Sequence, residues 1–167
     1  MKSKIKKSDK TLVISFSGGR TSGYLTKKLL EEKHKWKDII VIFANTGQEH
    51  EKTLEFINKC DKNFDFNTVW IEAVTHPNKK KASTAKVVDF KTASRKGEPF
   101  EGVIAKYGIP WSKAAHCTRE LKEYPINKIM RENIFKKFFT YYFKLSLFLA
   151  VAKFGNPPKT GSVILNG

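Results

Sequence analysis

The chain has 167 residues, 40% of them hydrophobic and 29% charged, which excludes a disordered polyelectrolyte and fits one soluble globular domain with a real core. Its two cysteines, Cys60 and Cys117, are too few for a disulfide framework or for the roughly four thiolates of an iron–sulfur cluster, so reduced thiols and no cluster are expected. The formal net charge of +16 points toward polyanions, yet only four of the 32 basic residues are arginine, whose fork suits phosphate and base recognition; such a lysine excess also fits the codon bias of an AT-rich genome.

The opening MKSKIKKSDK is basic but leads into no apolar h-region, so no signal peptide is expected. TLVISF (11–16) is a short β-branched run and a candidate buried strand. A helix is expected over 21–33, with Tyr24, Leu25 and Leu29 on one face. DIIVIFA (38–44) is a second buried strand. NTGQEHEKTLEFINKC then opens a helix, where Thr46 and Glu49 have the spacing of a capping box and Leu54, Ile57 and Cys60 follow at helical intervals. FNTVWIEA (66–73) is a third strand. This alternation predicts an α/β fold, a doubly wound, mainly parallel sheet with right-handed crossovers and helices on both faces.

Between 75 and 98 the alternation lapses around one short strand, KVVDF. The densest basic stretch, HPNKKKASTAK, reads as a mobile loop able to touch a polyanion. Residues 99–107 form a short helix with Pro99 in its first turn and Gly108 as its stop, and a further helix is expected from Thr118, kinked or restarted at Pro125. His50 and His76 read as solvated loop or helix-start residues rather than metal ligands. From Asn133 to Gly167 no acidic residue occurs, and the segment is dense in Phe, Tyr and Leu. Lysines interrupt it well short of the ~20 apolar residues a membrane span needs. Residues 1–132 are therefore read as one nucleotide-binding domain and 133–167 as an atypical basic, aromatic tail.

The stretch SFSGGRTSGY carries the chemistry. Ser15, Ser17, Gly18, Gly19, Arg20, Thr21 and Ser22 lie where the first strand hands over to the first helix. Glycines let the backbone approach a phosphate, free N–H groups and the helix dipole attract negative charge, and the hydroxyls and Arg20 add donors. Neither a Walker A loop nor a GxGxxG fingerprint is present.

SGGRTS resembles the PP-loop, SGGxDS, of the adenine nucleotide alpha-hydrolase superfamily. SFSGGRTSGYL, VIFANTGQEHEKTLEFINKC, ASRKGEPFEGVI and HCTRELKEYPI occur in the order seen in the phosphoadenosine phosphosulfate (PAPS) reductase family, and look most like its small phage and prophage members. The resemblance covers roughly residues 11–131. It implies a sheet that binds an adenine nucleotide, ATP or PAPS, with Ser17 to Ser22 on the phosphates and Asn45, Thr46 and Gly47 near the adenosine. Cys117, Arg119 and Lys122 in CTRELK correspond to a Cys-x-x-Arg-Lys-like motif facing the anionic end, and His116 could assist a Cys117 thiolate.

Three departures accompany the resemblance. Thr21 stands where the PP-loop usually has aspartate, which removes a carboxylate useful to a magnesium ion. The C-terminal Glu-Cys-Gly-Leu-His redox motif of true PAPS reductases has no counterpart, and the tail replaces a further strand with Arg and acidic residues, as a truncated or frameshifted prophage gene would. The expected function is α-phosphate cleavage of ATP or adenylation linked to sulfur transfer; the alternative is a non-catalytic nucleotide-binding or nucleic-acid-associated protein. Adenine nucleotide, with Mg2+ as its counter-ion, is the expected ligand, nucleic acid a candidate partner through the basic surface, and the cytoplasm (that of the bacterial host if phage-encoded) the expected location.

Overall fold

A computed structural model of the chain describes residues 8, 10–111 and 116–132. The tail expected over 133–167 lies outside the described residues. Among the described residues four strands, β1 (Thr11–Ser15), β2 (Asp38–Asn45), β3 (Val69–Val74) and β4 (Thr84–Val88), form one sheet in the order β1-β2-β3-β4. The first three are parallel, with Thr11 level with Asp38 and Ile42 level with Val69, and β4 returns antiparallel to β3.

Sequential strand order with right-handed crossovers sends successive connections to one face. Helices α1 (Arg20–Glu31) and α2 (Glu51–Phe64) accordingly share a side of the sheet. There Leu12, Ile14, Phe16, Val41 and Phe43 meet Leu54, Ile57 and Cys60. The alternate residues Val13, Ile40, Ile42 and Ile71 face the other way and are covered by Ile129 of the helix over Tyr124–Glu132. Period-two alternation of two apolar sets is what a strand buried on both faces requires. Helices therefore cover both faces, and the doubly wound α/β arrangement stands.

Several local expectations are corrected. The inward face of α1 is Gly23 and Thr26, with Leu29 partly buried, whereas Tyr24 and Leu25 are exposed. Gly23 lies against the Phe56 and Phe16 rings, where a Cβ would stand 3.3 Å from Phe56, so a small residue sets this helix-to-helix approach. Helix α2 begins at Glu51, capped by His50, whose Nδ1 accepts from the Lys52 N–H at 3.1 Å. The Thr46–Glu49 contact forms at 2.8 Å, but Gly47 at φ 79° turns the chain before a helix can start. Strand β3 starts late because Asp65 and Asn67 adopt left-handed φ of 51° and 50°. Asp61 then gathers the strand entry, accepting from Thr68 N–H and Oγ1 and from Trp70 Nε1.

Helix α3 (Glu98–Tyr107) has Pro99 in its first turn and ends at Gly108, as expected. Among the described residues the last helical run includes His116 as well as Thr118: α4 (His116–Thr118), a π-helical turn (Arg119–Glu123) and α5 (Tyr124–Glu132) follow without interruption. Pro125 explains the turn. It has no N–H to give back to the preceding turn, and the widened winding, with Tyr124 N–H reaching Arg119 O, absorbs that loss. No helix among the described residues is long and apolar enough to cross a membrane.

Candidate functional site

Parallel pairing puts the ends of β1, β2 and β3, and the loops that follow them, on one edge of the sheet. The PP-loop-like turn is on this edge. Ser15 closes β1, half-buried, level with Ile42. Gly18 adopts φ 78°, and a Cβ there would meet Thr53 Cγ2 at 2.7 Å and Ile57 Cδ1 at 2.9 Å. The loop is thus pressed onto α2 at a point where only glycine fits.

Gly19 is different. As the N-cap of α1 it has ordinary extended dihedrals and receives no side-chain cap. A Cβ on it would lie 3.7 Å from both Ser17 Oγ and Ser22 Oγ, which is open contact distance. The two hydroxyls lie 2.9 Å apart, and Ser22 donates to Gly19 O at 2.9 Å. Arg20 and Thr21 are exposed beside them, and no acidic residue sits in the first turn of α1. The positive end of the helix and its leading N–H groups therefore face a small cradle that carries two hydroxyls, with Arg20 exposed in the first turn. Such a cradle fits a phosphate oxygen.

The second loop is organised from beneath. Asn45 is fully buried, and its amide donates to Glu72 Oε1 at 2.7 Å and to Ser94 O at 2.9 Å, while its oxygen accepts from Gly47 N–H. Its side chain shapes the loop from within. Thr46 is occupied by Glu49 and by the Gln48 N–H. Gly47, at φ 79°, lies against Gly97 and Pro99, with no room for a Cβ.

Glu72 was not anticipated. A lone acid in the apolar run VWIEA was the signal that could have exposed it. It is fully buried and collects Asn45, the Ser94 N–H and hydroxyl, and Lys86 Nζ at 2.9 Å. Burial alone would push its carboxyl up, but the Lys86, Ser94 and Asn45 hydrogen bonds together hold it below the usual range. Ser94 belongs to ASRKGEPF, and its neighbour Arg95 reaches back to Glu51 at 2.8 Å. The segment thus clamps the β2–α2 turn.

Cys117, Arg119 and Lys122 lie on the last helical run. Cys117 is half-buried against Ala73, Val103 and Leu121, and Lys122 is exposed. Arg119 Nη2 meets His116 Nδ1 at 3.1 Å, and its Nε is buried without a partner. His116 stacks on Tyr107, ring centres 4.5 Å apart, so the His–Cys neighbours in sequence have His116 committed to Tyr107 and Arg119. His50 and His76 each accept a backbone N–H two residues on. Among the described residues no three His, Cys, Asp or Glu side chains gather closely enough to hold a metal ion. With Thr21 in the loop, the cradle offers hydroxyl and N–H donors and no carboxylate for magnesium.

A mainly parallel sheet flanked by helices, with a glycine- and serine-rich turn at the end of its first strand, is consistent with an α/β domain of the adenine nucleotide alpha-hydrolase-like class. Residues 11–140 match the phosphoadenosine phosphosulfate reductase domain, and the chain belongs to that family. Its family-level role is nucleotide binding. The chain is 33% identical over 119 residues to an uncharacterized nin region protein of Escherichia phage lambda, covering 70% of this chain and 41% of that one. Two uncharacterized proteins of Methanocaldococcus jannaschii are 26% and 29% identical, over 80% and 75% of this chain but 22% and 24% of their own lengths. The chain thus spans well under half of each of these relatives. No solved structure matches it.

Proposed function

We propose that the protein binds an adenine nucleotide, ATP or PAPS, with its phosphates in the cradle formed by Ser17, Gly18, Gly19, Arg20, Thr21 and Ser22, and that the reaction is α-phosphate cleavage or adenylation linked to sulfur transfer. The observation that carries this is Gly19, where an added Cβ would meet only the Ser17 and Ser22 hydroxyls, at 3.7 Å, beside an uncapped helix N-terminus free of acidic side chains. Gly47 and the Asn45–Glu72–Ser94 network give the second loop its shape, on which the adenosine would rest. Arg119 and Lys122 supply positive charge for the anionic end, with Cys117 on the same helical run. These roles rest on family membership and on the sheet edge that the loops share.

A second reading, binding without turnover, is favoured by Thr21, whose hydroxyl cannot organise a metal as a carboxylate would. Both readings are tested together. ATP, PAPS, AMP and GTP are titrated by calorimetry, and the ATP and PAPS complexes are then analysed for AMP, pyrophosphate and sulfite. Adenine nucleotides should bind in preference to GTP, at micromolar to millimolar affinity. Pyrophosphate with AMP identifies the enzyme, and binding without product identifies the module. Equal affinity for GTP would remove the adenine assignment. Gly19→Val should abolish binding while the fold persists.

A further inference from the structure

We propose that the loop over residues 75–83 is a docking surface for single-stranded nucleic acid, on the same edge of the sheet as the anion cradle. It carries Lys79, Lys80 and Lys81 in succession, all exposed. Among the described residues none of the three pairs with an acidic side chain.

A run of lysines ordinarily waves in solvent, and the sequence alone suggested as much here. The structure instead ties the backbone of this run down from below. Lys106 Nζ donates to Lys81 O at 2.6 Å, and Tyr107, whose single hydroxyl proton goes to Glu120 at 2.7 Å, stands 3.3 Å from Lys79 O. Lys80 N–H and Lys81 N–H both bond to Asn78, and Ser83 donates its N–H and hydroxyl to Glu120. Glu120 and Lys106 are themselves buried and 3.3 Å apart. A buried ion pair is therefore committed to holding the main chain of a surface loop while its charged side chains stay in water. Fixing the loop in advance reduces the ordering cost of meeting a row of phosphates.

Rings lie close by. Tyr107, whose hydroxyl holds Glu120 beneath the loop, stacks on His116, and four residues on in the chain Trp111 is 62% exposed. Lysines for the backbone and an open aromatic face for an unpaired base are the two components of single-strand binding, and Trp111 is the ring that offers such a face. A generic polyanion would use the lysines alone.

The test is fluorescence anisotropy with a labelled oligothymidylate of about twenty nucleotides, enough for one small-domain site, across a salt series. The triple variant Lys79→Ala, Lys80→Ala, Lys81→Ala is compared with Lys10→Ala, Lys33→Ala, Lys37→Ala. The second triple removes the same charge from the opposite edge, where β1 and β2 begin. The loop variant should lose at least tenfold in affinity, and its salt slope should flatten by about two, since each single-strand phosphate contact contributes about 0.7. The opposite-edge variant should change affinity less than threefold. Trp111→Ala should weaken oligothymidylate several-fold and leave heparin retention unchanged. Equal losses in the two triples, an unaltered salt slope, or an unaffected Trp111→Ala variant would each overturn the assignment. ATP titration of the loop variant keeps the outcome separate from that of the cradle, because none of the three lysines belongs to it.

Discussion

Gly18 and Thr53 are in such close apposition that a single added carbon on the glycine would stand 2.7 Å from the threonine methyl. Gly19, the next residue, has open contact distances all round. The two neighbours should therefore fail in different ways. Gly18→Ala meets both a left-handed φ and a collision with α2, and should cost about 1–3 kcal/mol of stability, read as a lowered denaturant midpoint. Gly19→Ala should leave the midpoint within about 0.5 kcal/mol, and Gly19→Val should remove nucleotide affinity from a folded protein. Loss of stability at Gly19 comparable to that at Gly18 would contradict the cradle geometry.

Glu72 gives the second loop a pH dependence. Its carboxyl lies below its ordinary value in the folded state because Lys86, Ser94 and Asn45 outweigh the cost of burial. A depressed folded pKa contributes stability that is fully present above the unfolded value of about 4.3 and is lost as pH falls through the folded one. Chemical denaturation between neutral and acid pH should show this decline. Glu72→Gln should flatten that part of the profile and cost about 1–3 kcal/mol at pH 7, since it turns an amide toward Lys86 and the Ser94 hydroxyl. An unchanged acid limb in the variant would show that Glu72 does not titrate on unfolding.

What could be read in advance follows from the range of each interaction. β1, β2 and the loop after β1 were legible because β-branched runs and Gly-Gly between serines are local signals. Helix α3 was framed by Pro99 and Gly108 for the same reason. The buried face of α1 was not legible, because its inward residues are Gly23 and Thr26, chosen for closeness to Phe56 rather than for hydrophobicity. The π-helical turn was visible only as a warning at Pro125. Asn45, Glu72 and Ser94 meet across 22 to 49 residues of chain, so no window of sequence contains that network. The sequence marked Asn45 as a ligand contact by resemblance, and the fold gives its amide to the loop itself.

Lys106 and Glu120 offer a different kind of prediction, because a buried pair is worth less than either partner alone suggests. Burial opposes the Glu120 charge, but Ser83, Tyr107 and Lys106 hold its carboxyl below the ordinary range. Removing one partner strands the other charge and should cost about 3–5 kcal/mol. Lys106→Met combined with Glu120→Leu should cost clearly less than the two single changes summed. A double-mutant cycle by urea denaturation measures the coupling. Strict additivity would mean that the pair does not interact in solution.

The two thiols should differ sharply in reactivity. Cys60 is 2% exposed on the inner face of α2, and burial, reinforced by the neighbouring Asp61 charge, raises its thiol above the ordinary value. Thiolate is the reactive species, so Cys60 is protected by both access and ionisation. Cys117 is half-buried in α4, packed against the cluster of Ala73, Val103 and Leu121. In native protein at neutral pH, a thiol-specific disulfide reagent should release about one equivalent of chromophore quickly, and Cys117→Ser should remove it. In denaturant both thiols should react. If the cradle and the last helical run serve one ligand, ATP should slow the Cys117 reaction, an effect that Gly19→Val abolishes. Labelling of Cys117 that is indifferent to saturating ATP would separate that residue from the nucleotide site and leave Arg119 and Lys122 without their proposed role there.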